Sequence, residues 1–471
     1  MPIRIICLAL VFAASLPSFV HAQTKSVTAA TRTARHLESI KNNTPLLYAM
    51  LREMPKGGDL HSHLSGAVYA ENFLAWAAED RVCIRTSDFV AVGSADTCDA
   101  NAVRADTLMR NQGLYNQIVD EWSTRNWRRE MESGHYQFFA TFGKFGAAGR
   151  NRNGDMIAEV MRRAYAGNVR YLELMNTPND GAANLGDSVG WTPDFAQMRE
   201  RLRSRNHARV VEAARRDVAN WVTQQRALMK CDVAAADPAC SVTVRFLYQI
   251  SRGRAPERVF AQILTAFEVA SVDSMVVGFN LVQPEDGFIS MRDYSLQMRM
   301  IQYLRQFYPQ VKISLHAGEL APGLVPPEGL RFHIREAVEV AGASRIGHGV
   351  DVMYEDRPAD LLREMARRGV AVEINLTSNH TILGVSGREH PLAAYHRYGV
   401  PTVISTDDEG VSRSEMTMEY VRAVVDQGLS YPKLKEMSIN SLEHSFLQNA
   451  VKQRLLAQLK QDFVKFEARY R

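Results

Sequence analysis

Eight short runs of β-branched and apolar residues recur along this 471-residue chain, and segments with helical spacing separate most of them. Alternation of strands with helices is typical of a parallel sheet, and eight such units can close into a (β/α)8 barrel, also called a TIM barrel. We therefore predict an α/β fold of this type. The predicted strands are residues 57–64, 169–175, 242–250, 275–282, 311–316, 345–348, 370–375 and 401–405.

Two of the intervening segments carry distinct helix signals. Residues 391–398 begin with Pro391 near the first helical turn and end just before Gly399, which favours a short helix. A second apolar series has the i, i+4, i+7 and i+8 spacing of one buried stripe, with Gly342 as its C-terminal stop. This stripe consists of Leu330, Ile334, Ala337, Val338 and Ala341.

A long insertion, at about residues 65–168, separates the first two predicted strands. It includes the aromatic, helix-like segment His135–Phe142. In TIM barrels the active site lies at the carboxyl ends of the strands. Because the insertion directly follows a strand, we expect it to cover the mouth of the barrel as a lid.

Histidines and carboxylates lie at the ends of four predicted strands. His61 and His63 are two residues apart on the first strand, so their side chains point to the same face. One histidine alone is more often a hydrogen-bonded core residue, but four motifs at strand ends favour a metal site. The other three motifs are His316-Ala-Gly-Glu319, Arg345-Ile-Gly-His348-Gly349 and Ser405-Thr-Asp-Asp408.

Three histidines and a carboxylate at one end of a barrel are suited to hold Zn²⁺ and to leave a position for water. We predict one Zn²⁺ per chain. The predicted ligands are His61, His63, His316 and Asp407.

The remaining polar residues of these motifs predict an attack of hydroxide on an electrophilic carbon. Glu319 can donate a proton as a general acid, and His348 can hold the hydroxide as a base or as an electrostatic partner. Asp408 is adjacent to a predicted ligand but points elsewhere, which suits substrate recognition. This chemistry is hydrolysis or deamination.

Outside the motifs, residues 375–379 either contact substrate or form a turn, and His380, His390 and His396 are expected to be structural.

The N-terminus predicts export. Arg4 precedes an apolar run at residues 5–14, and Val20-His21-Ala22 fits a small-residue cleavage site. A buried terminal strand or helix is the alternative interpretation. We predict a signal peptide at residues 1–22, a polar leader at 23–50 and one barrel domain at 51–471, in the periplasm or the extracellular medium.

The cysteines left after removal of the signal peptide form two local pairs within polar segments. An even number of cysteines in an exported chain favours disulfides, which we expect to join Cys83 to Cys98 and Cys231 to Cys240. Other connectivities remain open at this point. No Cys-x-x-Cys motif is present, which argues against a cysteine zinc site.

The composition gives no reason to expect a macromolecular anion as partner. The net charge of +4 is small for this length, so we expect neither nucleic acid nor, once the signal peptide is removed, a membrane. A small-molecule substrate is expected, and an oligomer is possible.

The motifs together resemble the adenosine deaminase family of zinc barrel hydrolases. The resemblance extends from about residue 50 onward and rests on Met54-Pro-Lys, His61-Ser-His63-Leu-Ser-Gly66, His316-Ala-Gly-Glu319, Arg345-Ile-Gly-His348-Gly349 and Thr406-Asp-Asp408. The secretion signal, the long insertion, Gly278-Phe-Asn-Leu-Val282 with Glu285-Asp286, and residues 405–410 resemble its secreted, growth-factor-related branch.

This resemblance implies deamination of adenosine or 2′-deoxyadenosine to inosine or its deoxy form plus ammonia, with a purine nucleoside as substrate. Glu319 would protonate purine N1, His348 would orient the hydroxide, and Asp408 would hydrogen-bond N7. The sequence departs from the family pattern at Ser65, where an aspartate commonly contacts the ribose, and at Gln283, where a glycine amide meets N3. Because of these departures, the motifs predict the reaction better than the sugar, and both residues are candidate substrate contacts.

Three alternatives remain open. The substrate could be an adenosine modified at its 5′ end or another aminopurine. The chain could instead be a different zinc amidohydrolase of the same barrel superfamily. The fourth strand carries no lysine to bridge two metals, which favours a mononuclear one. A secreted signalling protein on an inactive scaffold is less consistent with a complete ligand set plus Glu319.

Overall fold

The computed structural model describes Met1 and residues 28–128, 133–178 and 181–470. Within these residues, eight parallel strands form one sheet in which each strand pairs with the next along the chain. All eight predicted strands are confirmed, with ends that differ from the prediction by at most two residues. They are Gly58–His63, Tyr171–Asn176, Thr243–Ser251, Val276–Val282, Lys312–Ala317, Arg345–His348, Ala371–Ile374 and Thr402–Ile404.

The sheet closes into a barrel where the eighth strand returns to the first. The residues just after the eighth strand form a parallel bridge between Asp407 and Ser62. The backbone N–H of His63 donates to the carbonyl of Asp407 at 2.9 Å, and the N–H of Asp407 donates to the carbonyl of His61 at 2.8 Å. The predicted (β/α)8 fold is therefore confirmed.

Helices surround the barrel and bury apolar side chains against it. Pro256–Val272, for example, begins with proline in its first turn, and most of its residues from Val259 to Val269 are buried. The helices between the later strands include Phe288–Arg305, Pro358–Arg368, Leu376–Leu383 and Leu392–Tyr398. Those between the second and third strands are Gly181–Val189, Phe195–Ser204 and His207–Leu228.

The two helix predictions differ in their outcome. Leu392–Tyr398 is helical and stops at Gly399, whose φ of 71° is left-handed. The predicted stripe 330–341 is buried as expected, but it is divided among a 3-10 turn at Pro327–Leu330, a helical turn at His333–Glu336 and a π-helical turn at Ala337–Ala341. Apolar spacing therefore predicted the buried side of this segment but not its hydrogen-bond pattern.

The predicted insertion after the first strand is present, and it contains a small sheet that the sequence pattern did not predict. In its described part, three short antiparallel strands form a small sheet in the order Ala91–Ser94, Val82–Arg85, Ala102–Arg104. Its helices are Leu64–Ala67, Ala70–Glu79, Ala105–Leu108, Gln112–Glu121, Gly134–Thr141 and Asn153–Ala166.

Both predicted disulfides are present. Cys83 on the central strand of the small sheet is bonded to Cys98, and Cys231 is bonded to Cys240 beside a 3-10 turn at Pro238–Ser241. Each bond closes a short loop at the surface of the barrel domain. The remaining short turns are Val352–Tyr354 and Gly387–Glu389.

Helices also flank the barrel at both ends of the described chain. Ala29–Ile40 and Thr44–Glu53 precede the first strand, and the side chains of Thr28 and Asn43 cap their first turns. The predicted signal peptide lies outside the described residues. No helix in residues 28–128, 133–178 or 181–470 is long and apolar enough to cross a membrane. The C-terminal helices are Met416–Val425, Tyr431–Glu443 and Asn449–Glu467.

Candidate active site

The four predicted metal ligands meet at the carboxyl end of the barrel. Nε2 of His316 lies 3.1 Å from Nε2 of His61 and 3.2 Å from Nε2 of His63. Oδ1 of Asp407 lies 3.3 Å from Nε2 of both His61 and His63. A zinc ion with bonds of about 2.0–2.1 Å would hold tetrahedral ligand atoms about 3.3–3.4 Å apart. The four side chains therefore form a group that could bind a metal ion.

A hydrogen-bond acceptor faces the Nδ1 atom of each of the three histidines. Since carboxylate and amide oxygens only accept, Nδ1 carries the proton and the lone pair of Nε2 is left for a metal. The pairs are Glu373 Oε2 with His61 at 2.6 Å, Gln249 Oε1 with His63 at 3.2 Å, and Asn280 Oδ1 with His316 at 2.8 Å.

Glu373 belongs to a buried charged network beneath the site. Arg345 donates hydrogen bonds to Glu373 and to Glu173, and its guanidinium carbon lies 3.7 Å from the ring centre of Phe446. Burial opposes ionisation of Glu373, but the charge of Arg345 and the hydrogen bond from His61 lower the pKa of Glu373 to about 2. The acceptor that orients His61 is therefore a charged carboxylate held in place by Arg345.

Asp407 has the geometry of a ligand rather than of a core residue. Its φ of 61° is left-handed, and Ser378 donates a hydrogen bond to its Oδ2 at 2.6 Å. The other oxygen, Oδ1, is buried and has no hydrogen-bond partner in the part of the chain that the structure describes. A buried carboxylate oxygen without a donor is costly, whereas a metal cation would satisfy it. The donor set therefore fits a metal.

Glu319 lies beside this group with a carboxyl that favours its protonated form. It is almost fully buried, and Oε1 lies 3.6 Å from Nε2 of His348. Burial, followed by the charges of Asp407 and Glu285, raises the pKa of Glu319 well above its usual value. A raised pKa brings a carboxyl closer to the range in which it can act as a general acid.

His348 completes the polar wall opposite Glu319. Its Nδ1 pairs with the side-chain amide of Asn379 at 2.9 Å, so Nε2 faces the site, 3.7 Å from Oδ2 of Asp407. Burial lowers the pKa of His348, which favours a neutral ring. A neutral imidazole in this position can take a proton or orient a water molecule.

Asp408 is buried next to Asp407 but extends toward the segment after the first strand. A Cβ atom at Gly66 would lie 1.5 Å from Oδ1 of Asp408, so only glycine leaves room for this carboxyl. That oxygen has no hydrogen-bond partner among the described residues. Burial and the charge of Asp407 raise the pKa of Asp408 well above its usual value, which favours its protonated form.

A cavity of about 350 Å³ opens onto these groups. Ser65 and Gln283, at which the sequence departs from the family pattern, both line this cavity. The aromatic side chains of Phe138, Phe139 and Phe142 line it from the insertion, as expected for a segment that covers the barrel mouth.

The loop after the fourth strand lies at the rim of the cavity. Gln283 has a φ of 85°, and its Oε1 accepts a hydrogen bond from the N–H of Gly253 at 2.7 Å. Asp286 Oδ1 lies 2.9 Å from Nε2 of His135, which joins this loop to the insertion helix Gly134–Thr141. Left-handed backbone at a non-glycine residue costs about 1–3 kcal/mol and is concentrated at functional sites.

Several residues at the site were not found from the sequence. Gln249, Asn280 and Glu373 are polar residues within otherwise apolar barrel strands, which is the signal that could have identified them. Asn379 belongs to residues 375–379, for which the sequence allows either a substrate contact or a turn. In the structure its side chain pairs with His348. His390 Nε2 lies 2.9 Å from Asn379 Nδ2, and His396 pairs with Thr402, so neither reaches the metal-ligand group.

Comparison with known sequences identifies the family. The model of the family described as adenosine deaminase matches residues 154–462, which is more than half of the 471 residues. The chain belongs to the adenosine deaminase family. The matched region includes His316, Glu319, His348 and the Asp407-Asp408 pair, and it begins after the His61 motif.

Curated relatives of the family align over shorter segments. An adenosine deaminase from Vibrio cholerae is 35% identical over 161 residues, which is 34% of this chain and 45% of that protein. One from Yersinia pseudotuberculosis is 38% identical over 146 residues, 31% of this chain and 40% of that protein. The chain thus spans less than half the length of these relatives.

Solved structures share the fold. An adenine deaminase from Arthrobacter aurescens has a TM-score of 0.56 at 19% identity, covering 87% of this chain and 99% of its own. An N6-mAMP deaminase from Arabidopsis gives 0.56 at 21% identity with the same coverage. An amidohydrolase from Burkholderia ambifaria with bound zinc gives 0.54 at 18%, covering 95% and 97%. At these identities the likeness establishes the barrel fold.

Proposed function

We propose that this protein catalyses zinc-dependent hydrolytic deamination of adenosine or 2′-deoxyadenosine, releasing ammonia and the corresponding inosine. One observation carries the proposal: three of the four convergent metal ligands, His63, His316 and Asp407, line the same cavity as two carboxyls, Glu319 and Asp408, whose pKa values are raised. Replacement of an amino group on a purine by water needs a water activator, an acid for the ring nitrogen and donors that hold the ring.

The resident metal of this site would be one zinc ion, held by His61, His63, His316 and Asp407. When bound, zinc lowers the pKa of a coordinated water toward about 7, so that hydroxide is accessible at neutral pH. The acceptors on Nδ1 of the three histidines support this assignment, because they fix the tautomer that a metal requires.

Glu319 would donate a proton to purine N1 while water adds at C6. As the new C–O bond forms, the electron pair of the C6–N1 π bond moves to N1, which takes the proton from Glu319. His348 would take one proton from the attacking water and pass it to the C6 amino group, which leaves as ammonia. The remaining hydroxyl proton returns to Glu319 as the C6 carbonyl forms, so the net change is one water added and one ammonia released. The raised pKa of Glu319 supports this role, since the acid must be protonated before the reaction begins.

His348 and Asp408 would position the two reactants. Nε2 of His348 lies between Glu319 and Asp407 and can hold the attacking water as a proton acceptor or electrostatic partner. Purine N7 is an acceptor, so it needs a donor, and the raised pKa of Asp408 supports a carboxyl that would donate a hydrogen bond there. The unpartnered Oδ1 of Asp408 supports a ligand contact there.

The sugar end of the substrate is less constrained by the family pattern. Ser65 replaces the aspartate that commonly contacts ribose, and Gln283 replaces the glycine near N3. An adenosine modified at its 5′ position or another aminopurine is therefore the second candidate substrate. Another mononuclear zinc amidohydrolase activity is the next alternative, and a non-catalytic signalling role is the least consistent with the site.

We also propose that the protein is exported and works in the periplasm or the extracellular medium, as in the secreted branch that it resembles. Its two disulfides support an oxidising compartment. We propose the domain boundaries as predicted: signal peptide 1–22, leader 23–50 and deaminase-like barrel 51–471.

The direct test is a substrate screen with the zinc-loaded protein. Adenosine, 2′-deoxyadenosine, 5′-modified adenosines, adenine and AMP would be followed by the loss of the adenine absorbance band and by ammonia release. We expect adenosine or 2′-deoxyadenosine to react fastest. Ammonia release from none of these purines, despite bound zinc, would contradict the proposed function.

A further inference from the structure

Glu285 holds the backbone that carries Glu319. It is fully buried in the loop after the fourth barrel strand. Its Oε2 accepts the N–H of Glu319 at 2.8 Å, and its Oε1 accepts the N–H of Gly318 at 3.1 Å. One carboxylate therefore binds two consecutive amides of the turn that leaves the fifth strand.

The same turn is held from its other side by the loop after the sixth strand. The carbonyl of Gly318 accepts the N–H groups of Val350 at 2.7 Å and Asp351 at 3.2 Å. Gly318 has a φ of 78°, and a Cβ there would lie 2.5 Å from Oδ1 of Asp351. The peptide before Glu319 is thus fixed between two loops, with glycine required by both backbone and packing.

Glu285 is itself rigid. Nδ1 of His333 lies 2.6 Å from its Oε1, and the His333 ring stacks on Tyr294 with centroids 3.7 Å apart. The Tyr294 hydroxyl donates to the carbonyl of His333 at 2.8 Å. Burial opposes ionisation of Glu285, but the hydrogen bond from His333 and the charge of Arg252 lower the pKa of Glu285 to about 2. Its carboxylate is therefore an acceptor on both oxygens.

We propose that Glu285 is a positioning residue for the chemical step, acting through the Gly318 and Glu319 amides to aim the carboxyl of Glu319 at the reacting ring. This inference rests on the proposed function, because it takes Glu319 as the acid. Glu285 does not line the cavity and needs no contact with substrate or metal. Its effect is on the geometry of proton donation rather than on binding.

The test variant is Glu285→Gln. Glutamine keeps one acceptor oxygen but places an NH₂ group against the second backbone N–H, so the turn must shift. A misplacement of about 1 Å can cost about 10²-fold in rate, and we expect kcat to fall by about 10–100-fold. KM should change by less than about 3-fold, and zinc content should stay at the parental level. A fall in zinc content together with kcat would contradict a role in positioning alone.

Glu355→Gln is the matched control. Glu355 is also buried, and its Oε1 accepts two consecutive backbone N–H groups, from Ile334 at 2.6 Å and Arg335 at 3.2 Å. These amides belong to the turn His333–Glu336, which carries His333 but not Glu319. Both variants replace a buried glutamate by its amide, but glutamine at 355 still offers one oxygen to both of its backbone N–H groups, whereas glutamine at 285 cannot satisfy the second N–H. We expect kcat to fall only in Glu285→Gln.

A double-mutant cycle separates this inference from the proposed function. In a Glu319→Gln background, where the acid is already absent, adding Glu285→Gln should lower kcat by less than about 2-fold. If the two losses multiply, Glu285 does not act through Glu319 and the inference is wrong. If Glu319→Gln alone leaves deamination unchanged, the proposed mechanism is wrong. If Glu285→Gln does not fold, Glu285→Asp, which withdraws the same carboxylate by one methylene, should lower kcat with unchanged zinc content.

Discussion

Asp407 and His63 meet twice, once through the backbone and once through their side chains. The N–H of His63 donates to the carbonyl of Asp407 at 2.9 Å, and Nε2 of His63 lies 3.3 Å from Oδ1 of Asp407. The hydrogen bonds that close the barrel between its first and last strands therefore also hold two predicted metal ligands side by side.

Because the metal would join the first and last strands of the barrel, its removal should destabilise the fold. A ligand that binds only the folded state stabilises it by mass action. We expect one zinc per chain, a lower Tm after chelation and recovery on addition of zinc. His61→Ala should lose metal and activity together, whereas His396→Ala should keep both. Two zinc equivalents per chain, or an unchanged Tm after complete chelation, would be inconsistent with this site.

Gln249 should tune metal affinity without being a ligand. Its Oε1 fixes the Nδ1 proton of His63, and loss of such an outer partner typically weakens metal binding by about 10–100-fold. We expect Gln249→Leu to lower zinc affinity by that factor in a competition titration with a chelator. Ser251→Ala, at the same cavity wall, is the control and should leave affinity unchanged. Equal affinities in both variants would mean that Gln249 does not orient His63.

Export and the disulfides can be tested together by mass spectrometry. Protein taken from its native compartment should start near Gln23, and Cys83, Cys98, Cys231 and Cys240 should resist alkylation until reduced. Each bond can add roughly 2–4 kcal/mol to the free energy of unfolding, less where the closed loop is short. Retention of Met1 or four freely alkylated thiols would contradict export.

The contribution of Glu285 to the free energy of unfolding should be lost at acid pH. Its pKa is about 2 in the folded protein and about 4.5 for an ordinary glutamate, so the folded state favours the ionised form. Such a contribution is present above about pH 4.5 and is lost as pH falls through the folded value. The difference in unfolding free energy between parent and Glu285→Gln should shrink from pH 6 to pH 3 in urea titrations. A difference independent of pH would show that Glu285 is not ionised in the folded state.

The barrel and the ligand motifs were predictable because each depends on local pattern. Apolar runs such as Val276–Val282 identify strands wherever both faces are buried, and the spacing of His61 and His63 identifies a shared face. The carboxyl ends of parallel strands lie at one end of a barrel, so motifs at strand ends had to converge.

The supporting residues were not predictable in the same way. Glu373 orients His61 from 312 positions away, and its partner Arg345 acts across strands. Such contacts depend on strand register and barrel closure, which no single segment encodes. The small sheet around Cys83 was missed because its strands are only three or four residues long, too short for a strand pattern to be recognised.

Glu319 is the proton donor of the proposed deamination step, and the variant Glu319→Gln removes that donor. Glutamine keeps the size and polarity of the side chain but cannot act as an acid. Since loss of general acid catalysis typically costs about 10²–10⁴-fold, single-turnover deamination of adenosine should slow by that factor. Zinc content should stay at one per chain, and Asp408→Asn should instead weaken substrate binding. Loss of zinc in Glu319→Gln, or deamination at the parental rate, would contradict the account.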